Sequence, residues 1–71
     1  MNFNVNSSAV KGLRTEGDQV FVTFPNGREY TYNASDLAAF TNSVSAAIAN
    51  DQSVGRLVNR AIQSQELVLA A

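Results

Sequence analysis

The spacing of apolar residues changes once along this 71-residue chain, and that change constrains the fold more than any other feature. Up to Asn33 the apolar residues alternate with polar ones, which is typical of strands that cover a core with one face. After Asn33 they recur every three or four residues, which is typical of amphipathic helices. The simplest arrangement for such a chain is a small sheet with helices packed on one face.

The first half of the chain predicts two strands joined by a turn. The stronger signal is "QVFVTF", residues 19–24, in which both valines and Phe24 fall on one face. The preceding run "SSAVKGLR", residues 7–14, predicts a weaker strand, because its apolar residues break strict alternation. Between them, "TEGD" predicts a turn in which Gly17 takes a left-handed conformation.

A third strand follows a hairpin turn. The tripeptide "PNG" fits a three-residue loop, because Pro25 presets φ and Gly27 suits the left-handed position that closes it. The returning run "REYTYN" places Tyr30 and Tyr32 on one face. Both connections are short, so the sequence predicts an antiparallel meander over residues 7–33.

The second half predicts two helices, over residues 34–50 and 53–65. Asn33 or Ser35 can cap the first helix and Asp36 favours its positive end, while Ser53 can cap the second. The first helix carries apolar residues at helical spacing: Leu37, Phe40, Val44 and Ile48. Residues 1–6 are left as an N-terminal arm, and residues 66–71, "ELVLAA", as an apolar tail. The predicted fold is α+β, one domain with a three-stranded antiparallel β-meander followed by two helices packed on one sheet face.

Three segments of the chain, in this order, resemble the KTSC domain, a small family named for its occurrence at the C-terminus of some lysyl-tRNA synthetases. They are "SSAV" from Ser7, "FPNGREYTY" from Phe24 and "SVGRLVNRAI" from Ser53. RNA binding has been suggested for this family. The chain departs from the family pattern where Leu57 and Val58 stand in place of aromatics, and where "QSQELVLAA" replaces a basic end.

The residue inventory disfavours catalysis. The chain has no cysteine and no histidine, so disulfides, thiol nucleophiles and the commonest general base are missing. A zinc site would depend on carboxylates alone, which is unusual. Asp36 and Asp51 flank opposite ends of one predicted helix and are expected to act in capping. We therefore expect no enzyme activity, no metal and no cofactor.

The charge balance narrows the class of partner. Five Lys and Arg stand against six Asp and Glu, a formal net charge of −1. A non-specific nucleic-acid binder is usually strongly basic, and a peripheral membrane binder carries a basic cluster. No apolar run approaches the length of a membrane span, and "MNFNVNSSAV" lacks the pattern of a signal peptide. The expectation is a soluble cytoplasmic protein that does not bind membranes, with nucleic acid not favoured by charge.

Tyr30 and Tyr32 have two interpretations. Aromatic side chains exposed on a sheet can stack nucleic-acid bases. They can also complete a thin core, and the valines of the neighbouring strand favour this structural role, because they need aromatic partners across the ladder.

Gly55 and Asn59 lie one turn apart on the second predicted helix. Glycine is costly in a helix interior, so we expect Gly55 to allow close packing on the sheet. Asn59 is expected at the edge of the buried stripe, where its amide hydrogen-bonds internally rather than contacting a ligand.

Arg56 and Arg60 are four residues apart and face away from the apolar stripe. Together with Arg28 or Arg14 they are candidates for a small anion-binding patch, and a solvated helix face is the alternative. If a nucleic acid or an acidic partner is bound, we expect these arginines and the two tyrosines to contact it.

The apolar tail suggests a function for the chain. Leu67, Val68 and Leu69 can dock on the core, pair as an added strand or contact a second copy. The preferred hypothesis is a non-enzymatic protein-binding module whose partner is another protein or a second copy of itself. The alternative hypothesis is a nucleic-acid-binding domain, as suggested for the KTSC family.

Overall fold

The computed structural model describes residues 2–3, 5 and 8–70, and within them one five-stranded antiparallel sheet is combined with two helices. The strands lie side by side in chain order: β1 (Asn2–Phe3), β2 (Gly12–Glu16), β3 (Gln19–Thr23), β4 (Glu29–Ala34) and β5 (Leu67–Leu69). The helices α1 (Leu37–Ala49) and α2 (Val54–Gln63) fall between β4 and β5 in the chain. The α+β class with an antiparallel sheet and two helices is therefore confirmed.

The predicted number of strands was wrong, because both edges of the sheet carry an additional short strand. Asn2 and Phe3 pair with Arg14 and Leu13, so part of the expected N-terminal arm is β1. The expected tail supplies β5. Strands of two or three residues contain too little alternation to be recognised from a pattern. The rest of the predicted arm, at 1, 4 and 6, and the predicted motif residue Ser7 and tail residue Ala71 lie outside the described residues.

The strand β2 begins and ends later than predicted. It runs into the expected turn, so that Glu16 pairs with Gln19 and only two residues form the loop. Gly17 takes a positive φ of 60°, as predicted. Thr15 points inward and is 7% exposed. The alternation of apolar and polar residues did not predict this position, because a threonine carries no apolar signal.

The second hairpin has the predicted three-residue loop. The Phe24 amide donates to the Arg28 carbonyl at 2.9 Å, and the Gly27 amide donates to the Phe24 carbonyl at 2.9 Å. Gly27 has a φ of 87°, the left-handed conformation that favours glycine.

Both helices begin at side-chain caps. Asp36, rather than Asn33 or Ser35, caps α1, because its Oδ1 accepts the Ala39 amide at 3.1 Å. Ser53 caps α2 as predicted, and its Oγ accepts the Arg56 amide at 3.2 Å. Within the described residues, neither helix has the length and apolar character needed to cross a membrane.

The core lies between the helices and one face of the sheet. The sheet contributes the buried side chains of Leu13, Val20, Val22, Tyr32 and Leu67, and the helices contribute Phe40, Val44, Ala47, Val54, Val58 and Ala61. Residues that alternate with these on the strands, such as Arg14, Phe21 and Thr31, are only partly buried. We call their side of the sheet the open face.

Candidate functional site

Both tyrosines lie on the sheet face that the helices cover. Tyr32 is opposite Val20 and is 7% exposed, while Tyr30 is opposite Val22 and packs against the core. The Tyr30 ring meets the ring of Phe24 edge-on, with centroids 5.5 Å apart. Tyr32 therefore belongs to the core and Tyr30 packs against it, so this pair does not form an exposed platform on which bases could stack.

Burial also changes the chemistry of one hydroxyl. It raises the pKa of Tyr32 above the ordinary value of 10.0, and the nearby Tyr30 raises this pKa further when it ionises. Tyr32 is therefore a neutral core residue at physiological pH rather than an acid–base group.

On the open face, neighbouring glutamates offset the positive charge of Arg14. The Arg14 guanidinium lies over the ring of Phe21, with its central carbon 3.9 Å from the ring centroid. The same guanidinium is 3.2 Å from Glu16 and 3.7 Å from Glu29. Arg14 therefore gives the open face little net positive charge.

Arg56 and Arg60 lie on the same side of α2. The other two candidate arginines, Arg14 and Arg28, do not lie on a helix. Arg28 lies in the turn between β3 and β4, where its backbone amide donates to Asn26 Oδ1 at 3.0 Å. Arg56 and Arg60 are exposed, as their helical spacing predicted. Neither side chain forms an ion pair with a described residue, since both described ion pairs belong to Arg14.

These two arginines border a depression between α1 and α2. It consists of two adjoining openings of about 420 and 150 Å³, both lined by Leu57 and Arg60. The first is also lined by Ala47, Gln52, Ser53 and Arg56, and the second by Phe40, Ser43, Ala61 and Glu66. We call the two openings together the interhelix groove.

Asn59 was placed wrongly by the sequence pattern. Gly55 is buried at the start of α2 as expected, but Asn59 is exposed. A residue four positions along a helix is rotated by one turn plus about 40°, and here that rotation carries Asn59 past the edge of the buried face.

The described residues contain no group of three or more His, Cys, Asp or Glu side chains placed to hold a metal ion. Asp36 is the cap of α1, and Asp51 lies in the loop between the helices with a positive φ of 58°. The Asp51 amide donates to the Ile48 carbonyl at 3.2 Å. Asp36 therefore caps α1 as expected, but the expectation for Asp51 was wrong, because the C-cap of α1 is Asn50 and the N-cap of α2 is Ser53.

The tail combines two of the three roles that its composition allowed. Leu67, which does not fit the helical stripe, is 1% exposed and belongs to the core. Val68 and Leu69 are 52% and 55% exposed. The tail therefore docks and adds a strand, and it leaves two apolar side chains at the surface.

The hydrogen bonds of β5 show which way its backbone points. The Glu66 carbonyl accepts the Ser35 amide at 3.0 Å, and the Ala70 amide donates to the Thr31 carbonyl at 2.9 Å. Backbone groups alternate in direction along an antiparallel strand. The amides and carbonyls of Leu67 and Leu69 therefore point away from β4.

No described strand pairs with β5 on that outer side, because β5 is the last strand of the sheet. We call this surface the β5 edge: the outward backbone groups of Leu67 and Leu69 and the exposed side chains of Val68 and Leu69. The sequence pointed to these residues through their composition, but their alternating directions depend on the pairing with β4.

Comparisons of the chain with protein-family models, with curated proteins and with solved structures found no match. The resemblance to the KTSC domain therefore stays a prediction, and the β5 edge and the interhelix groove are the two candidate sites for binding a partner.

Proposed function

We propose that this protein is a non-enzymatic protein-interaction module that pairs with a second copy of itself through the β5 edge. The observation that carries the proposal is the open backbone of Leu67 and Leu69 beside two apolar side chains that are more than half exposed. A sheet edge of this kind is a template for another strand. A cytoplasmic location stays a prediction.

The hydrogen-bonding pattern favours one register for this pairing. A two-fold axis through Val68 places Leu67 of one copy opposite Leu69 of the other, and the reverse. Each of these residue pairs has outward backbone groups on both strands and can exchange two hydrogen bonds. The register therefore forms about four intermolecular hydrogen bonds and places the two Val68 side chains next to each other on the open face.

Other two-fold registers use fewer of these groups. An axis at Leu67 leaves Leu69 opposite Gln65 of the second copy, and Gln65 has a φ of 65°, outside the extended range. An axis at Leu69 leaves Leu67 opposite position 71, outside the described residues. The axis through Val68 is the one that pairs both outward residues within β5.

The interface is small, and this determines the expected strength. A three-residue strand and two side chains bury much less than a standard protein interface, so we expect a dissociation constant on the order of 0.1 mM. Assembly should therefore depend strongly on protein concentration, or on a local increase in that concentration.

Three features support this function over nucleic-acid binding. The net charge is −1, the two tyrosines lie under the helices, and Arg14 is occupied by two glutamates. The non-enzymatic part of the proposal rests on the lack of histidine and cysteine in the sequence.

Solution mass measured by light scattering over a concentration series tests the proposal. The full chain is expected to approach twice its monomer mass in the millimolar range. The variants Val68→Lys and Leu69→Lys should stay monomeric, because each places like charges at the two-fold interface. Ile48→Lys is the matched control, since Ile48 is an exposed apolar residue on α1, at 38%. Its mass should follow that of the unmodified chain.

A chain that stays monomeric throughout, or edge variants that assemble as well as Ile48→Lys, would contradict self-pairing. Truncation before Leu67 is less informative, because it removes a core residue together with the edge. A parallel titration with mixed RNA and DNA oligonucleotides tests the alternative, which predicts binding at low salt that weakens as salt rises.

A further inference from the structure

We infer that the interhelix groove binds an acidic peptide segment, with carboxylates on Arg56 and Arg60 and an apolar side chain against Leu57. This site goes beyond the β5 edge and depends on different residues. The two proposals can therefore succeed or fail independently.

The charge of the groove is the first argument. Arg56 and Arg60 are the charged residues of α2, and α1 carries none, so the two helix walls contribute two positive charges and no negative one. Glu66 lies at one end, where its Oε2 accepts the Ser64 hydroxyl at 2.7 Å, so the charged residues of the lining sum to +1. Arg56 and Arg60 are free of described ion pairs. An anionic occupant could form ion pairs with both arginines without breaking an ion pair of the described residues.

The spacing of the two arginines is the second argument. Residues four apart on a helix are separated by about 6 Å along its axis, which matches two carboxylates four apart on a helical peptide. Each guanidinium presents a planar fork of donors that fits one carboxylate. Leu57 is half-buried between the openings and lines both of them, so it offers an apolar contact beside the charged ones.

The remaining lining favours a peptide over a nucleic acid. Leu57 gives the groove apolar surface, which suits an aliphatic side chain, while Ala47 and Ala61 are 2% and 5% exposed and add little. Its aromatic residue, Phe40, is 6% exposed and has no free face on which a base could stack. Single-stranded nucleic acid typically needs exposed aromatic side chains as well as positive charge.

The test is fluorescence anisotropy of a labelled helical peptide that carries two Glu residues four apart with a Leu between them. The protein is the full chain, and the control peptide has Gln in place of both Glu. We expect the Glu peptide to bind and the Gln peptide to bind at least about tenfold more weakly, since both charged contacts are lost.

The variant Arg56→Gln/Arg60→Gln should also weaken binding at least about tenfold. Arg14→Gln/Arg28→Gln is the matched control, because it removes the same charge from two arginines that line neither opening. Its effect should be within about twofold, since Arg14 is already paired with two glutamates and charges outside the groove are screened by salt. Circular dichroism verifies that both variants fold.

Three results would overturn the proposal: no binding by the unmodified chain, an equal loss in the two double variants, or tighter binding of a single-stranded RNA than of the Glu peptide. Repeating the titration with Val68→Lys separates this site from the β5 edge, because peptide binding should be unchanged whether or not the chain pairs with itself.

Discussion

Tyr32 and Leu69 lie directly opposite each other across β4 and β5, yet Tyr32 is 7% exposed and Leu69 is 55% exposed. Opposite residues of an antiparallel pair project to the same face, so both are on the side that the helices cover. At this position, the helices therefore cover the sheet as far as β4 and leave β5 accessible. At β5 only Leu67 reaches the core, and the rest of the strand stays accessible to a partner.

The two leucines of β5 should differ sharply in their effect on stability. Leu67→Ala removes a core side chain that is 1% exposed and should lower the free energy of unfolding by about 2–4 kcal/mol. Leu69→Ala, at a position that is 55% exposed, should cost less than about 1 kcal/mol. Urea denaturation at low protein concentration measures both values, and similar losses would show that β5 does not dock as described.

The turn glycines should be much less replaceable than the strand glycine. Gly17→Ala and Gly27→Ala place a side chain at positive φ, and each should cost about 1–2 kcal/mol of unfolding free energy. Gly12→Ala is the control. A Cβ at Gly12 would lie 3.5 Å from Thr23 Cβ, an ordinary contact, so the substitution should be close to neutral. Thermal or urea unfolding of the three variants checks this order. A larger loss of stability in Gly12→Ala than in Gly17→Ala and Gly27→Ala would contradict it.

The raised pKa of Tyr32 should appear as a loss of stability at alkaline pH. Because this pKa is higher in the folded state than the ordinary value of 10.0, the unfolded chain ionises first. The contribution of Tyr32 to the free energy of unfolding is fully present below the pKa of the unfolded chain. It is lost as pH rises through the pKa of the folded state. Unfolding free energies measured from about pH 9 to pH 11 should therefore fall.

Tyr32→Phe keeps the ring and removes the titration, so its stability should fall less steeply over the same range. Other groups that titrate there are common to both proteins, and the difference isolates Tyr32. Parallel pH profiles for the two proteins would show that the Tyr32 hydroxyl is not the source of the alkaline loss.

Features set by local chemistry were predictable from the sequence. Val20 and Val22 fall on one strand face, Gly27 follows a turn proline, and Ser53 precedes an apolar stripe, so each carries its own signal. The burial of Tyr30 and Tyr32 was also predictable, because it follows from the residues opposite them on a strongly patterned strand.

Features set by distant partners were not predictable in the same way. The strands β1 and β5 are two and three residues long, and they exist because β2 and β4 offer free edges. Leu67 departs from the helical stripe because it belongs to a strand. The exposure of Arg56 and Arg60 could be predicted from helical spacing, but the interhelix groove depends on how α1 packs against α2, which periodicity does not encode.

The most direct test of self-pairing is disulfide formation by Val68→Cys. The chain has no cysteine of its own, so each molecule then has one thiol. A two-fold axis through Val68 makes the two residues a pair without intervening hydrogen bonds, with Cα atoms about 4.5 Å apart, inside the range that a disulfide spans. Leu69→Cys and Ile48→Cys are controls for, respectively, the register and random collision.

In a glutathione redox buffer, we expect Val68→Cys to form covalent dimer at much lower concentration than either control. Equal cross-linking at all three positions, or more at Leu69→Cys than at Val68→Cys, would contradict the proposed pairing of β5 with β5.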